Sequence, residues 1–220
     1  MNAEIKFCGM TRAEDADFAV SLGASYVGVI FAGGPRNLSV AAAMEVLAVV
    51  PRRVDRVGVF SDQTADEIAR AADHLQLGVV QLHGESTPKR VAEIRRDFSG
   101  KVWAVCRVST AKLPATLSDL LVASDGLLLD ADVRGALGGT GVTLPWAEIA
   151  DELRALREAR GRKPLILAGG LQPQNVAQAI ATLGPDVVDV SSGVESVPGI
   201  KDHDRMRAFR DAVHHASTRI

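Results

Sequence analysis

The hydrophobic positions of the chain fall into eight short runs that alternate with amphipathic segments. The runs are rich in β-branched residues and apolar along nearly their whole length, which is typical of strands buried on both faces of a parallel sheet. They lie at 4–8, 25–31, 54–60, 77–83, 101–108, 125–130, 163–170 and 186–192. The pattern therefore predicts eight parallel strands.

Several segments between the runs carry signals for the start of a helix. The sequences TRAE (11–14) and TADE (64–67) both fit a capping box, in which a threonine hydroxyl and a glutamate carboxylate accept hydrogen bonds from backbone N–H groups. Proline follows Thr87 and Gln172, and the first turn of a helix tolerates proline. These signals predict four helix starts.

Helical periodicity marks the bodies of the helices. Residues 67–75 and 146–159 carry apolar side chains at helical spacing. The segment 109–123 contains Pro114 and is the weakest predicted helix. The chain thus alternates strands with about eight helices.

This alternation predicts an α/β protein that folds as a single (β/α)8 barrel domain over residues 1–220. Parallel strands need crossover helices, and right-handed crossovers repeated this often can close on themselves. Such barrels have about 250 residues and can have about 200. An open doubly wound sheet is the alternative, but CGMT (8–11) follows the first strand where that fold carries a G-x-G-x-x-G motif.

Composition narrows the function classes. The chain is 47% hydrophobic and 24% charged, with a formal net charge of -2, so we expect a globular protein without the basic stripe that binds nucleic acid. No apolar run approaches the roughly 20 residues of a membrane span, and the N-terminus does not resemble a secretory signal. Two cysteines, Cys8 and Cys106, make no disulfide framework. We therefore expect a cytoplasmic protein with no membrane or nucleic-acid partner.

Candidate site residues follow from the barrel hypothesis. Active sites of such barrels lie at the carboxyl ends of the strands and in the loops that follow them. The polar or unusual residues at those positions are Cys8, Arg36, His83, Arg107, Asp130, Gly169, Gly170, Asp189, Ser191, Ser192 and Gly193.

The loops after the seventh and eighth strands indicate an anion site. Both LAGGL (167–171) and VSSGVE (190–195) place small residues at the end of a strand, and barrel enzymes often bind phosphate in this pair of loops. The loop GGTG (138–141), with Gly139 and Gly141, could close over the same group. Tight turns alone would also explain these glycines.

Seven motifs, in their order and spacing, resemble the phosphoribosylanthranilate isomerase family of the tryptophan pathway. They are KFCGMTRAEDA (6–16), GPRNLS (34–39), VGVF (57–60), VVQLHGE (79–85), LLLDADVRGALGGTG (127–141), LILAGGLQPQNV (165–176) and VDVSSGVESVPGIKD (188–202). The resemblance runs from Ile5 to about the last helix. Met10, where Leu or Ile is more usual, and the residues around Pro35 and Arg36 depart from the family pattern.

The resemblance implies an Amadori rearrangement of N-(5-phosphoribosyl)anthranilate. In this reaction an acid opens the ribose ring and a base removes the proton at C2, so neither a cofactor nor a metal is required. By resemblance, Cys8 is the general base, Asp130 the general acid, and Arg36 the partner of the anthranilate carboxylate. A thiol must be partly ionised to accept a proton, and a carboxyl group must be held protonated to donate one.

The other candidates receive less definite roles. We expect His83 to line the pocket without being the primary base, and Asp189 to orient neighbouring groups. The glycines at 139, 141, 169, 170 and 193, together with Ser192, are expected to bind the phosphorylated substrate. Each candidate also has an ordinary structural reading: a buried thiol, a capping aspartate or a surface arginine. Cys106 has no such motif and is expected in the core.

Other functions remain open at this point. A catalytically silent sugar-phosphate-binding barrel would keep the glycine loops without needing Cys8 and Asp130. Another barrel isomerase acting on an aminoaldose phosphate is the nearest competitor, although an acid/base pair of two aspartates would suit the histidine-pathway enzyme. A flavin barrel would be yellow when purified. The sequence leaves the choice between a monomer and a homodimer open.

Overall fold

A computed structural model describes residues 3–84, 86–108, 112–131, 145–161 and 163–217. Eight parallel strands form a closed barrel in chain order, which confirms the (β/α)8 prediction over the open sheet. The strands are β1 Glu4–Phe7, β2 Tyr26–Ile30, β3 Asp55–Phe60, β4 Val79–Leu82, β5 Lys101–Val108, β6 Gly126–Ala131, β7 Leu165–Leu167 and β8 Val187–Val190. Pairing of β8 with β1, with Lys6 opposite Asp189, closes the barrel.

The helices of the described residues follow the strands in turn. They are α1 Ala13–Ser21, α2 Val40–Leu47, α3 Ala65–Leu75, α4 Pro88–Arg95, α5 Leu117–Ala123, α6 Trp146–Arg160, α7 Val176–Leu183 and α8 His203–Ser217. Helix α5, with seven residues, is the shortest of these, in line with its weak signal. Within the described part of the chain, no helix is long and apolar enough to span a bilayer.

Between β8 and α8 the chain forms a small element that the sequence pattern did not predict. A 3-10 turn at Ser192–Val194 leads into a hairpin of β9 Glu195–Val197 and β10 Ile200–Lys201. Strands of three and two residues are too short for a periodicity signal. This hairpin supplies two charged residues to the site described below.

Hydrophobic residues fill two separate layers of the barrel, because successive side chains of a strand point to opposite faces. Nine residues pack inside: Tyr26, Val57, Val79, Trp103, Val105, Leu128, Ile166, Ala168 and Val187. A larger cluster lies between the strands and the helices and includes Cys106, as expected. Gly126 makes room for the inner layer, since a Cβ there would lie 2.7 Å from Cδ1 of Trp103.

Two of the four predicted helix starts are confirmed. Thr64 accepts a bond from the Glu67 N–H at 3.3 Å, and the Glu67 carboxylate accepts one from the Thr64 N–H at 2.7 Å, which completes the capping box of α3. Thr87 caps α4 through the Arg90 N–H, with Pro88 in the first turn.

The other two predicted starts are wrong. At α1 the N-cap is Arg12, without a side-chain cap bond, because the Thr11 hydroxyl donates instead to the Gly199 carbonyl. Helix α7 begins at Val176, so the proline after Gln172 lies in the preceding turn. There the Asn175 side chain accepts from the Gln172 N–H at 2.9 Å. At α1 a contact with a distant part of the chain replaces the predicted cap, and before α7 a contact within the turn does so.

Candidate active site

The carboxyl ends of the strands enclose a cavity of about 320 Å³. Its lining includes nine of the predicted site residues: Cys8, Arg36, His83, Asp130, Gly169, Gly170, Asp189, Ser191 and Ser192. Gly193 follows Ser192 in the 3-10 turn. Gly139 and Gly141 lie outside the described residues.

Cys8 and Asp130 reach the cavity from different sides of the barrel. Cys8 directly follows β1, and Asp130 is the penultimate residue of β6, so β7 and β8 lie between them. Both are almost fully buried, at 5% and 6% exposure, and both line the same cavity. A thiol and a carboxyl group therefore share one small cavity.

A buried lysine next to Cys8 is the main feature that sequence reasoning missed. Lys6 is fully buried, and its Nζ donates to Oδ2 of Asp189 at 2.7 Å. Lys6 and Cys8 are two residues apart, so they point to the same face of the strand, and this spacing was the available signal. Gly28 leaves space for both, since a Cβ there would lie 3.0 Å from Cys8 Sγ and 3.4 Å from Lys6 Cε.

The electrostatics of Cys8 are set by burial and by four charged neighbours. Burial raises the pKa of the Cys8 thiol above its usual value, and the Asp189 charge adds to this, while the cations Lys6 and Lys201 lower it in part. For Lys6, burial opposes the charged form, but Asp189 and Cys8 more than compensate, so the pKa of Lys6 is raised. Arg36 also faces the thiol, and its pKa is raised first by its bond to Glu195 and to a smaller extent by Cys8.

His83 is held as a neutral side chain. Burial, followed by the charges of Arg107 and Lys6, lowers the pKa of His83 to about 4. Two hydrogen bonds fix the His83 backbone: its N–H donates to the Phe60 carbonyl at 2.7 Å, and its carbonyl accepts from Arg107 Nη2 at 2.8 Å. A neutral imidazole suits a hydrogen-bonding role in the pocket rather than binding of an anion by charge.

Three buried polar atoms on the cavity residues have no hydrogen-bond partner among the described residues. They are Oε1 of Gln81, Nδ1 of His83 and Oδ1 of Asp189. Buried polar groups are nearly always hydrogen-bonded, so these atoms are suited to the hydroxyls of a ligand. Gln81 was not a predicted site residue, although it lies two positions before His83 and so faces the same side of the barrel.

The loops after β7 and β8 form a glycine-lined wall. Gly169 and Gly170 have φ angles of 84° and 65°, in the left-handed region that favours glycine. A Cβ on Gly193 would collide with the carbonyl oxygen of Leu171, so the two loops can only approach this closely with glycine there. Backbone exposed in this way suits an anion such as phosphate.

Arg36 reaches the cavity but is already paired. Its Nε donates to Oε1 of Glu195 at 2.8 Å, and its Nη2 donates to Oε2 at 2.6 Å. Lys201 donates to the same Oε1 at 2.8 Å. The sequence left Glu195 without a role and gave no indication of Lys201, because both come from the hairpin after β8.

The closed barrel, the acid and thiol in one cavity and the glycine wall define a (β/α)8-barrel enzyme of the class that acts on phosphorylated sugars. The family model described as N-(5'phosphoribosyl)anthranilate (PRA) isomerase matches residues 5–212. The chain belongs to the N-(5'-phosphoribosyl)anthranilate isomerase family.

Similar proteins carry the same description. The chain is 43% identical over 212 residues to the N-(5'-phosphoribosyl)anthranilate isomerase of Chromohalobacter salexigens, covering 96% of this chain and 94% of that protein. It is 40% identical over 216 residues to the Paramagnetospirillum magneticum enzyme, covering 95% and 96%. The crystal structure of phosphoribosyl anthranilate isomerase from Thermotoga maritima superimposes with a TM-score of 0.84 at 35% identity, covering 97% of this chain and 99% of that one.

Proposed function

We propose that the chain catalyses the Amadori rearrangement of N-(5-phosphoribosyl)anthranilate to 1-(2-carboxyphenylamino)-1-deoxyribulose 5-phosphate, in tryptophan biosynthesis. Cys8 is the general base and Asp130 the general acid. The observation that carries the assignment is that both side chains, one just after β1 and one near the end of β6, line the same cavity. A further relative, 33% identical with a TM-score of 0.81, is a phosphoribosyl anthranilate isomerase in complex with reduced 1-(o-carboxyphenylamino)-1-deoxyribulose 5-phosphate.

Two proton transfers, from Asp130 and to Cys8, lead to an enolamine, and its tautomerisation completes the reaction. Asp130 gives its proton to the ribose ring oxygen as the C1–O bond breaks, and the lone pair of the anthranilate nitrogen forms a C=N bond to C1. The thiolate of Cys8 then removes the proton from C2, and that electron pair forms the C1–C2 double bond of an enolamine while the C=N electrons return to nitrogen. Tautomerisation of the enolamine gives the ketose. Each step needs only a correctly placed acid or base.

The base must be ionised to act. Burial raises the pKa of Cys8, and Lys6 and Lys201 counteract this by favouring the thiolate. Activity that depends on the thiolate rises with pH through this pKa. Burial and the charged neighbours together set the pKa of Cys8, and with it the fraction of thiolate at neutral pH.

The two ends of the substrate are assigned to different groups of cavity residues. The phosphate lies against Gly169, Gly170, Ser192 and Gly193, where glycine exposes the backbone. The anthranilate carboxylate lies against Arg36. Gly139 and Gly141 stay predicted phosphate contacts.

Substitution of the acid and the base tests the assignment. We expect Cys8→Ala and Asp130→Asn each to lower kcat by about 10²- to 10⁴-fold, the usual contribution of a general acid or base. The assay is the loss of fluorescence of N-(5-phosphoribosyl)anthranilate. Cys106→Ala is the matched control, because this thiol lies in the layer between strands and helices and should leave kcat unchanged. Wild-type turnover in either active-site variant would overturn the assignment.

Assembly and location are part of the same proposal. A structure of the Thermotoga maritima relative describes monomers generated from a dimeric enzyme. For this chain a monomer or a homodimer is proposed, and light scattering of the purified protein distinguishes them. The single (β/α)8 domain over 1–220 and a cytoplasmic location stay predictions.

A further inference from the structure

We propose that Glu195 is a positioning residue that fixes the guanidinium of Arg36, so that only its outer edge, Nη1 with Nη2, is presented to the substrate carboxylate. This inference rests on the proposed function and deepens it, because it assigns a specificity role to Glu195, to which sequence analysis assigned none.

The contact geometry determines which edge of Arg36 remains. A guanidinium has five N–H donors arranged as two bidentate edges. Glu195 occupies the Nε and Nη2 edge through two bonds of 2.8 and 2.6 Å. The substrate carboxylate can therefore be bound in a bidentate manner only by the edge that joins Nη1 and Nη2.

Burial makes this arrangement rigid. The side-chain exposures are 13% for Arg36, 4% for Glu195 and 0% for Lys201. Lys201 also donates to the Ser191 carbonyl at 3.1 Å, and Arg205 donates to the Glu195 carbonyl at 2.5 Å. Arg205 thus fixes the Glu195 backbone, while Lys201 holds the Glu195 carboxylate at 2.8 Å, so Glu195 has little freedom to release Arg36.

The loop after β1 accommodates the stem of Arg36. Gly9 has a φ angle of 70°, and a Cβ there would lie 2.6 Å from Cδ of Arg36 and 2.9 Å from Oγ of Ser191. Only glycine both adopts this φ angle readily and leaves space for the Arg36 stem. The backbone next to the base therefore also contributes to placing the arginine.

The charge of the cluster suits an anionic ligand. Arg36 and Lys201 are two cations around one carboxylate, so one positive charge remains in excess. Burial opposes ionisation of Glu195, but the bonds and charges of Arg36 and Lys201 prevail and lower the pKa of Glu195. A carboxylate arriving at Arg36 meets a net cation whose orientation is already fixed, so little conformational entropy is lost on binding.

Removal of the Glu195 charge should impair carboxylate recognition selectively. In Glu195→Gln, Arg36 and Lys201 become uncompensated neighbours of like charge, and Arg36 loses its charged partner. We expect affinity for a carboxylate-bearing ligand to fall about 10- to 100-fold, the range seen where an outer partner that orients a metal ligand is removed. The affinity for a ligand without the carboxylate should change little.

The test uses two ligands that differ only in the carboxylate. They are reduced 1-(2-carboxyphenylamino)-1-deoxyribulose 5-phosphate and its phenylamino counterpart, with affinities measured by calorimetry for the wild type, Glu195→Gln and Glu195→Asp. Glu93→Gln is the matched control, since Glu93 pairs with Arg90 on α4 at 3.5 Å. We expect the wild type and Glu93→Gln to prefer the carboxylate ligand, Glu195→Gln to lose that preference and Glu195→Asp to keep part of it.

The outcomes separate this inference from the proposed function. Equal weakening of both ligands by Glu195→Gln would indicate a purely structural role and overturn the inference, as would an unchanged preference. If Glu195→Gln does not fold, the same comparison with Glu195→Asp decides, because its shorter side chain cannot keep both guanidinium bonds. Failure of the wild type to bind either ligand would instead refute the proposed function.

Discussion

Loss of the Lys6 ammonium is expected to destabilise the fold strongly, because its partner Asp189 is almost fully buried. Lys6 Nζ and Asp189 Oδ2 are 2.7 Å apart, with side-chain exposures of 0% and 6%. At this distance Coulomb's law gives an attraction of about 6 kcal/mol with an effective dielectric constant of about 20. The desolvation of two buried ions costs several kcal/mol each, so the intact pair contributes little net stability.

The cost appears when only one partner is removed. Lys6→Met leaves the Asp189 carboxylate buried without its counter-ion, which typically costs about 3–5 kcal/mol. Asp189→Asn leaves the lysine uncompensated and should cost a similar amount. The double variant Lys6→Met with Asp189→Asn contains no buried charge here, so we expect it to be destabilised much less than the sum of the two single variants.

Urea unfolding at pH 7, followed by far-UV circular dichroism, measures these free energies. The pKa of Lys6 is raised in the folded state. The contribution of the Lys6 charge to stability is therefore complete below the unfolded pKa of about 10.4 and is lost only as pH rises through the folded pKa. At pH 7 this contribution is fully present. Lys89→Met is the matched control, because Lys89 is 88% exposed and 4.0 Å from Glu93, and should change stability by less than about 0.5 kcal/mol. A cost below about 1 kcal/mol for Lys6→Met, or additivity in the double variant, would refute the reasoning.

Two further expectations concern the glycine wall and the thiol. Gly193→Ala places a Cβ against the Leu171 carbonyl, so the loops after β7 and β8 must separate. We expect KM to rise and competitive inhibition by inorganic phosphate to weaken. An unchanged inhibition constant for phosphate would contradict a phosphate role for this wall. In a Cys106→Ala background, alkylation of Cys8 by iodoacetamide should reach its half-maximal rate above about pH 8.5, the value of an ordinary thiol, because burial raises its pKa. Lys6→Met should shift that midpoint higher still, whereas a midpoint at or below about pH 8.5 with Lys6 in place would contradict burial as the main influence on this thiol.

The barrel and the rough positions of its elements were predictable because they depend on local periodicity. Eight buried runs alternating with helices leave few topologies, and the rule that sites lie at strand ends then brought Cys8 and Asp130 together. The thiol and the carboxyl group do line one cavity. Sequence periodicity can therefore predict the location of residues that lie at the ends of regular strands.

Contacts between distant parts of the chain were not predictable in the same way. Lys6 and Asp189 are 183 residues apart, and Arg36 and Glu195 are 159 residues apart, so no local pattern links either pair. The failed cap at α1 has the same cause, because the Thr11 hydroxyl donates to Gly199 on the other side of the barrel seam. Where a tertiary partner competes with a local one, the propensity of the local sequence does not decide the outcome.

Closure between the first and last strands has a consequence for how the enzyme is made. Cys8 is synthesised near the start of the chain, but Asp189 and Lys201, which influence its pKa, emerge from the ribosome almost two hundred residues later. A nascent barrel that lacks its eighth strand contains the Cys8 thiol without two of the charged groups that set its pKa. The appearance of turnover during synthesis or refolding would thus report the moment at which the seam closes.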